Sequence, residues 1–300
     1  MVTMDRREFL AAAGAGSLVG LAGCGQSSGT AIIDFHQHTH YVGRSDADLV
    51  AHQRKLGVAK TVLLPAGSRY GLAADAWGND SVVKLAGRYP DEFVYFANEL
   101  PDLPETRAVL EKYLKMGARG IGEQKFKVPC DSRGMQLVYS IAQEFDVPVL
   151  LHFQHQDYNM GFERFHKMLE KFPGVDFIGH APGWWGNIDL HHDQETNYPT
   201  TPVTRGGISD RLLSDYPNMY GDLSANSGLN SLLRDEDHAR GFLDRHQDRL
   251  LWASDCSDTL GEGDGCIGFK GLAAVRRLAP DPGVVRKIFH DNAAHLLKLS

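Results

Sequence analysis

The chain has few cysteines, no excess of basic charge, and no composition typical of a protein that crosses a membrane many times. Only 4 of its 300 residues are cysteine, against 14 histidines, so histidine would have to carry any metal chemistry. Lysine and arginine number 31 against 38 acidic residues, a net charge of −7, which argues against a nucleic-acid-binding protein. With 42% hydrophobic residues the chain can bury a large core, and this excludes global disorder.

The first 23 residues are typical of an export signal rather than of folded structure. Arg6 and Arg7 form a twin-arginine pair, and an uncharged, small-residue stretch follows from Ala11 to Gly23. That stretch is too short and too rich in glycine and alanine for a membrane span. It closes on Leu21-Ala22-Gly23-Cys24, which resembles a bacterial lipoprotein cleavage box and would make Cys24 the lipidated N-terminus.

These signals predict three parts: a signal peptide over 1–23, a tether over 24–30, and one folded domain over 31–300. Twin-arginine signals imply export of an already folded chain, here to the periplasm or cell surface. We expect the lipid at Cys24 to be the only attachment to a membrane, as an anchor and not a span.

Eight apolar runs of strand length alternate with amphipathic helical stretches, which predicts a (β/α)8 TIM barrel of the α/β class. The alternative, an open doubly wound sheet, lacks the expected G-x-G-x-x-G after an early strand. The long segment 181–207 is predicted to be a lid or binding loop. The strand-length runs are Ala31–Phe35, Lys60–Leu64, Phe93–Ala97, Gly117–Gly122, Val147–Leu151, Val175–Ile178, Met219–Leu223 and Leu250–Ala253.

Side chains that bind zinc-type metal ions stand at the ends of five of these runs. The carboxyl ends of barrel strands meet at one face, so we expect these side chains to lie together. Histidines two residues apart share a face of a strand, and that spacing suits two imidazoles on one metal ion. The residues are His36 and His38 after the first run, Glu123 after the fourth, His152 after the fifth, His180 after the sixth and Asp255 after the eighth.

This set resembles the amidohydrolase superfamily, and the flanking segments resemble its amidohydrolase-related branch, the amidohydrolase 2 family. The resemblance covers about residues 31–299 and implies a metal-dependent barrel enzyme. The segments that carry it are Ile33–His38, Val147–His152, Phe177–Gly183, Asn218–Ser224, Leu250–Asp255 and Asn292–Leu297.

The resemblance also implies roles for the strand-end residues. His36, His38, His152 and Asp255 would hold a divalent metal ion, zinc or alternatively manganese, and Asp255 would also be the general base. His180 would bind substrate or act as an electrophile, or would hold a second metal ion as in binuclear relatives. Glu123 departs from the mononuclear pattern and resembles the bridging glutamate of some binuclear types.

Several assignments stay open at this point. Lys125 has the same strand parity as Glu123 and is the alternative functional residue there, while Glu123 could instead pair with a neighbouring cation. Arg69 and Lys125 are candidate substrate-binding cations. Trp184 and Trp185 either wall a pocket for a ring-bearing substrate or pack the lid. The two cysteines that bracket a glycine-rich loop, Cys256 and Cys266, are either a disulfide or free thiols.

The first functional hypothesis is a metal-dependent hydrolase of an ester, lactone or amide bond in a small molecule, using metal-activated water. The alternative is a metal-dependent, non-oxidative decarboxylase of an aromatic or related carboxylic acid, for which Arg205 is a further candidate cation. The third is a lipid-anchored binding protein without catalytic activity. One or two metal ions are expected in either enzyme.

Overall fold

A computed structural model describes residues 30–67 and 76–299. The predicted signal peptide, nearly all of the tether including Cys24, and Arg69 lie outside these residues, so their assignments stay predictions. Within the described part of the chain, no helix is both long enough and apolar enough to cross a bilayer.

Eight parallel strands form the predicted barrel, which confirms the fold. Strands β1 to β3 pair in order, as do β4 to β8. The two sets are joined by a parallel bridge between Ala97 and Ile121, and the barrel closes where Phe35 N–H donates to Trp252 O across 3.4 Å. The strands are β1 (Ile32–Gln37), β2 (Val58–Leu63), β3 (Phe93–Tyr95), β4 (Ile121–Gln124), β5 (Val149–His152), β6 (Phe177–His180), β7 (Met219–Asp222) and β8 (Leu250–Leu251).

Helices cover the outside of the barrel. Ser45 and Ser132 begin two of them as N-caps, because each hydroxyl accepts a backbone N–H of the first turn. The helices are α1 (Asp46–Leu56), α2 (Asn79–Arg88), α3 (Thr106–Lys115), α4 (Arg133–Phe145), α5 (His166–Lys171), α6 (Pro182–Gly186), α7 (Ile208–Asp215), α8 (Ala225–Leu233), α9 (Glu236–Arg245), α10 (Ile267–Leu278), α11 (Pro282–Arg286) and α12 (Asn292–Leu296), the last two joined by a π-helical turn over Lys287–Asp291.

Some helices of the structure differ from the helical stretches of the sequence. One amphipathic stretch between the apolar runs, over 163–172, is divided into a 3₁₀ turn at Phe162–Arg164 and the shorter α5. The predicted loop 181–207 is helical at its start, because Pro182 occupies the first position of α6, where its missing N–H costs nothing.

The hydrophobic core has one layer inside the barrel and one between the strands and helices. The inner layer contains Phe35, Leu150, Ile178 and Leu251, and it is closed by Leu296 from the C-terminal helix. On β5, β6 and β8 the inner residue lies two or four positions before a candidate ligand. Strand parity therefore directs His152 and His180 towards the barrel axis, while Asp255, beyond the end of β8, reaches the same place through the loop that follows the strand.

On β1 and β4 the ligand positions do not follow simple alternation. Phe35 belongs to the inner layer, yet its neighbour His36 also reaches the axis, and the β1–β2 register shifts between Asp34 and Gln37. The β4–β5 register shifts between Ile121 and Gln124, around Glu123. Such irregularities re-aim a side chain, and here they direct imidazole and carboxylate groups into the barrel mouth.

The seam, where β8 meets β1 and the barrel closes, is held by the side chain of Asp34 more than by backbone hydrogen bonds between the two strands. The buried carboxylate of Asp34 accepts Ser254 N–H at 2.8 Å and His36 N–H at 3.1 Å through one oxygen. Its other oxygen accepts the Ser254 hydroxyl at 2.5 Å and Gln53 Nε2 at 2.8 Å. Burial raises the pKa of Asp34, and these hydrogen bonds oppose that rise.

Candidate metal centre

The candidate ligands meet at the C-terminal mouth of the barrel. His36 Nε2 lies 3.1 Å from His38 Nε2, and both nitrogens lie within 3.8 Å of Asp255 Oδ1. Glu123 Oε2 is 3.7 Å from His36 Nε2 and 3.5 Å from His38 Nε2. His180 Nε2 is 3.8 Å from both carboxylates. Five predicted residues from β1, β4, β6 and the end of β8 thus converge on one point.

The hydrogen bonds at the far side of each ring fix which nitrogen faces that point. His36 Nδ1 lies 2.7 Å from Asp222 Oδ2, and His38 Nδ1 lies 2.7 Å from Leu64 O. Both partners only accept hydrogen bonds, so each Nδ1 carries a proton and each Nε2 is the nitrogen that faces the point of convergence. Two Nε2 atoms 3.1 Å apart must share a cation, which is either a proton or a metal ion. This arrangement fits a bound metal ion.

Asp255 also has a buried atom whose missing partner a metal ion would supply. Its Oδ1 is buried without a hydrogen-bond partner among the described residues, although it lies within 3.8 Å of two imidazole nitrogens. The residue has φ of 43°, a left-handed conformation that is strained for a residue with a side chain. Its N–H donates to His36 O across 2.9 Å, which holds the two ligands together.

Glu123 lies between two groups of histidines. Its Oε2 faces His36 and His38, while its Oε1 lies 2.5 Å from His152 Nδ1 and 3.8 Å from His180 Nε2. At the barrel mouth, two sets of three side chains have their ligand atoms close enough together to bind one metal ion. One set is His36, His38 and Asp255, and the other is His36, Glu123 and His180. The cluster is consistent with a divalent metal site. His36 belongs to both sets, and the two carboxylate oxygens of Glu123 face different histidines.

His152 occupies a different place from the one the resemblance implies. It belongs to neither group of three and contacts Glu123 instead. Its other nitrogen, Nε2, lies 3.3 Å from Gln154 Oε1. In this conformation His152 supports Glu123, so its assignment as a direct metal ligand stays a prediction.

The charges around the centre favour a cation. Burial lowers the pKa of His36, but the carboxylates of Asp255 and Asp222 outweigh it and hold that pKa well above the usual value. Burial lowers the pKa of His38 to about 3, with His36 adding to the effect, so its imidazole is neutral as a ligand must be. Burial and the nearby Glu123 carboxylate raise the pKa of Asp255 to about 7.

Asp222, Ser224 and Tyr41 are residues of the centre that the strand-end analysis did not assign. Asp222 is fully buried at the end of β7 and orients His36. Ser224 Oγ lies 3.0 Å from His180 Nδ1, and the Tyr41 hydroxyl contacts Asp255 and lowers its pKa. The rule that found the other strand-end residues applied equally to Asp222, whose carboxylate also ends a strand.

Lys125 is half-buried beside the centre, with its Nζ 5.6 Å from the ring centroid of Tyr158. Burial raises the pKa of Glu123, but the charges of Lys125 and His152 hold it well below its usual value. The carboxylate of Glu123 faces the histidines, so the structure favours Glu123 over Lys125 as the ligand. Lys125 is then a positive charge next to the site.

The two tryptophans lie on the other side of the strands. A Cβ at Gly179 would overlap the Trp184 indole, and Gly179 points away from the axis because its neighbours Ile178 and His180 point inwards. Trp184 is fully buried, and Trp185 Nε1 donates to Asp222 O across 2.8 Å. This placement favours packing beneath the loop over a wall for a ring-bearing substrate.

Comparison with known proteins agrees with this architecture. Residues 33–299 match the family model described as Amidohydrolase. A search of curated proteins finds no match.

Solved structures with a similar fold include an uncharacterised TIM-barrel protein from Bordetella bronchiseptica, at 18% identity and a TM-score of 0.63, covering 89% of this chain and 98% of that one. A probable 2-pyrone-4,6-dicarboxylic acid hydrolase from Acinetobacter baumannii is similar at 14% identity and a TM-score of 0.60, covering 89% and 99%. A 2,6-dihydroxybenzoate decarboxylase from Rhizobium is similar at 16% identity and a TM-score of 0.61, covering 90% and 99%. At these identities the structures show a shared fold.

The family match spans nearly the whole barrel and includes every candidate ligand from His36 to Asp255. The chain therefore belongs to the amidohydrolase family, in its amidohydrolase 2 branch.

Proposed function

We propose that the protein is a metal-dependent hydrolase of an ester, lactone or amide bond in a small molecule. The observation that carries this proposal is the position of Glu123 among four histidines. A carboxylate whose two oxygens face different histidines suits hydrolysis with one or two ions. Zinc is the first candidate for the metal and manganese the second, because imidazole and carboxylate ligands suit both.

His36, His38, Glu123, His180 and Asp255 would hold the metal, with His152 behind Glu123. A divalent ion at this place supplies Lewis-acid activation of water and of a carbonyl group. Asp255 then accepts the proton that the attacking water loses, because its carboxylate lies at the point where the ligands converge. It later returns that proton to the leaving group.

Lys125 is the chain's contribution to substrate binding in this proposal. Its ammonium group stands beside the centre without being part of it, where it can pair with a carboxylate of the substrate. A lactone that also bears carboxylates would use both features. The similar structure described as a probable 2-pyrone-4,6-dicarboxylic acid hydrolase is consistent with this substrate class at the level of the fold.

A second candidate is non-oxidative decarboxylation of an aromatic acid, and Lys125 is also the observation that favours it. The similar decarboxylase structure shares the fold. The two reactions differ in the fate of water. Hydrolysis adds one water oxygen to the product, whereas decarboxylation releases carbon dioxide and places a solvent proton on carbon.

Isotope incorporation tests the proposal. Protein loaded with zinc or manganese is incubated with lactones, esters, amides and hydroxybenzoates in H₂¹⁸O, and in D₂O in parallel. One ¹⁸O in the product supports hydrolysis, and carbon-bound deuterium with release of carbon dioxide supports the second candidate. Turnover should be lost in Asp255→Asn and kept in Asp264→Asn, a matched change at an exposed position of the same loop. Full activity of Asp255→Asn would overturn the assignment of the base.

A further inference from the structure

A second cluster of metal-binding side chains lies behind the barrel mouth. It consists of His52 from α1, Cys256 just after β8, and Cys266 at the start of α10, all of them buried. The ligand atoms of the three residues lie within 4.8 Å of one another. None of the three takes part in the proposed hydrolysis.

We propose that His52, Cys256 and Cys266 bind a soft metal ion, Cu⁺ or Zn²⁺, at a site separate from the candidate catalytic centre. Thiolate and imidazole ligands together select these two ions over the hard cations. The site would be structural, because its ligands come from three different elements of the fold, and a tetrahedral Zn²⁺ ion would take a fourth ligand besides these three.

The distances match those between ligands of one ion. Cys256 Sγ lies 3.7 Å from Cys266 Sγ, and Cys266 Sγ lies 3.3 Å from His52 Nε2. Sulfur at about 2.3 Å and nitrogen at about 2.0–2.1 Å from a tetrahedral ion place two sulfurs about 3.8 Å apart, and a sulfur and a nitrogen about 3.6 Å apart. The observed separations agree with these values to within a few tenths of an ångström.

The surrounding hydrogen bonds hold His52 in the tautomer that a ligand needs. Gln53 donates from Nε2 to Asp34 Oδ2 and to Thr61 Oγ1, each across 2.8 Å, which fixes the orientation of its amide. Gln53 Oε1 therefore accepts from His52 Nδ1, at 3.0 Å. The lone pair of His52 Nε2 then faces the two sulfur atoms. A hydrogen bond to the outer nitrogen is the usual support of a metal-bound histidine.

An ion at this place would fasten both ends of the loop between the two cysteines onto α1. The loop directly follows Asp255, whose backbone continues into Cys256. The same Gln53 that orients His52 also bonds Asp34, which accepts from His36 N–H. The soft site would thus stabilise the segments that carry the ligands of the candidate catalytic centre.

Cobalt substitution tests the proposal on the complete chain. Cobalt(II) bound by thiolates gives an intense near-ultraviolet charge-transfer absorption that imidazole and carboxylate ligands do not give. We expect this band in the cobalt-loaded protein and in Cys130→Ser, a control at a buried cysteine whose sulfur contacts Gly161 O instead. The double variant Cys256→Ser, Cys266→Ser should lose at least nine-tenths of the band and keep the cobalt of the barrel mouth.

Two further measurements keep the proposal falsifiable if the double variant does not fold. X-ray absorption of the unmodified zinc-loaded protein should show sulfur at about 2.3 Å from part of the zinc. Competition with chelators specific for Cu⁺ and for Zn²⁺ then identifies which ion binds more tightly. Absence of zinc–sulfur scattering together with no thiolate-dependent binding of Cu⁺ would overturn the proposal. A disulfide between residues 256 and 266 in the native protein, found by mass spectrometry, would also overturn it.

Discussion

Replacement of Asp222 by asparagine is predicted to weaken metal binding at the barrel mouth without unfolding the protein. Both oxygens of Asp222 act as acceptors: Oδ2 for His36 Nδ1 at 2.7 Å and Oδ1 for Ser224 N–H at 2.9 Å. Asparagine keeps the size of the side chain but offers one acceptor and one donor. Its amide nitrogen must then face one of the two donors, whichever way the side chain is turned.

If the amide nitrogen faces His36, the imidazole has to move its proton to Nε2, and Nε2 can no longer bind a metal ion. If it faces Ser224, a buried backbone N–H loses its acceptor. Loss of a hydrogen-bond partner behind a metal-bound histidine typically costs 10- to 100-fold in affinity, or about 1.4 to 2.8 kcal/mol. We expect the loss to fall in this range.

Zinc affinity of the wild type and of Asp222→Asn is measured by competition with a chelator. Thermal unfolding of the metal-free proteins serves to compare their folds. Asp176→Asn is the matched control, since Asp176 is a half-buried carboxylate just before β6, at the opposite end of the barrel. An affinity within twofold of wild type in a stable Asp222→Asn protein would refute the tautomer argument and the role of His36 in metal binding.

Three other changes test separate parts of the structure. Glu123→Gln should reduce metal affinity at least tenfold in a chelator competition, whereas unchanged affinity would mean that Glu123 only pairs with Lys125 and His152. Lys125→Met should raise KM about tenfold for substrates with a carboxylate and leave neutral esters unaffected, with the exposed Lys127→Met as control. Asp210→Asn should lower the free energy of unfolding, measured by urea denaturation, by about 3 kcal/mol. The reason is that buried Asp210 pairs with His246 at 2.7 Å and with Arg245 at 3.1 Å. Burial raises the pKa of Asp210, but these partners hold it below the usual value. Its stabilisation should therefore be complete above about pH 5 and be lost as the pH falls, a loss that the variant lacks.

The strands were predictable because those of a parallel barrel are buried on both faces and appear as short, continuous apolar runs. All eight occur in the expected order, with ends that shift by up to four residues. The helices α6, α8 and α11 were not expected. The five-residue α6 cannot show an amphipathic period, and α8 follows β7 directly, with Gly228 packed against Leu223.

The candidate ligands were predictable because histidine and carboxylate side chains at strand ends are chemically distinctive. Their arrangement was not predictable, since it depends on contacts across the barrel. Asp222 and His36 are 186 positions apart in the chain, and only the closed sheet brings them together. The same holds for the inward turn of Glu123, which results from an irregular strand register that local sequence does not reveal.

The weak seam between β8 and β1 links the chemistry of the mouth to the integrity of the barrel. Only two residues of β8 join the sheet, and the closure onto β1 depends on Asp34 and on two backbone hydrogen bonds, from Phe35 to Trp252 and from Asp255 to His36. His36 and His38 stand on one side of that seam and Asp255 on the other. A cation bound by all three residues would connect β1 to the segment after β8, so its binding free energy would also stabilise the closed barrel. Removal of the ion by a chelator would then separate β1 from β8 before it disturbs any other pair of strands. Catalysis and barrel closure would both depend on the same metal-binding equilibrium.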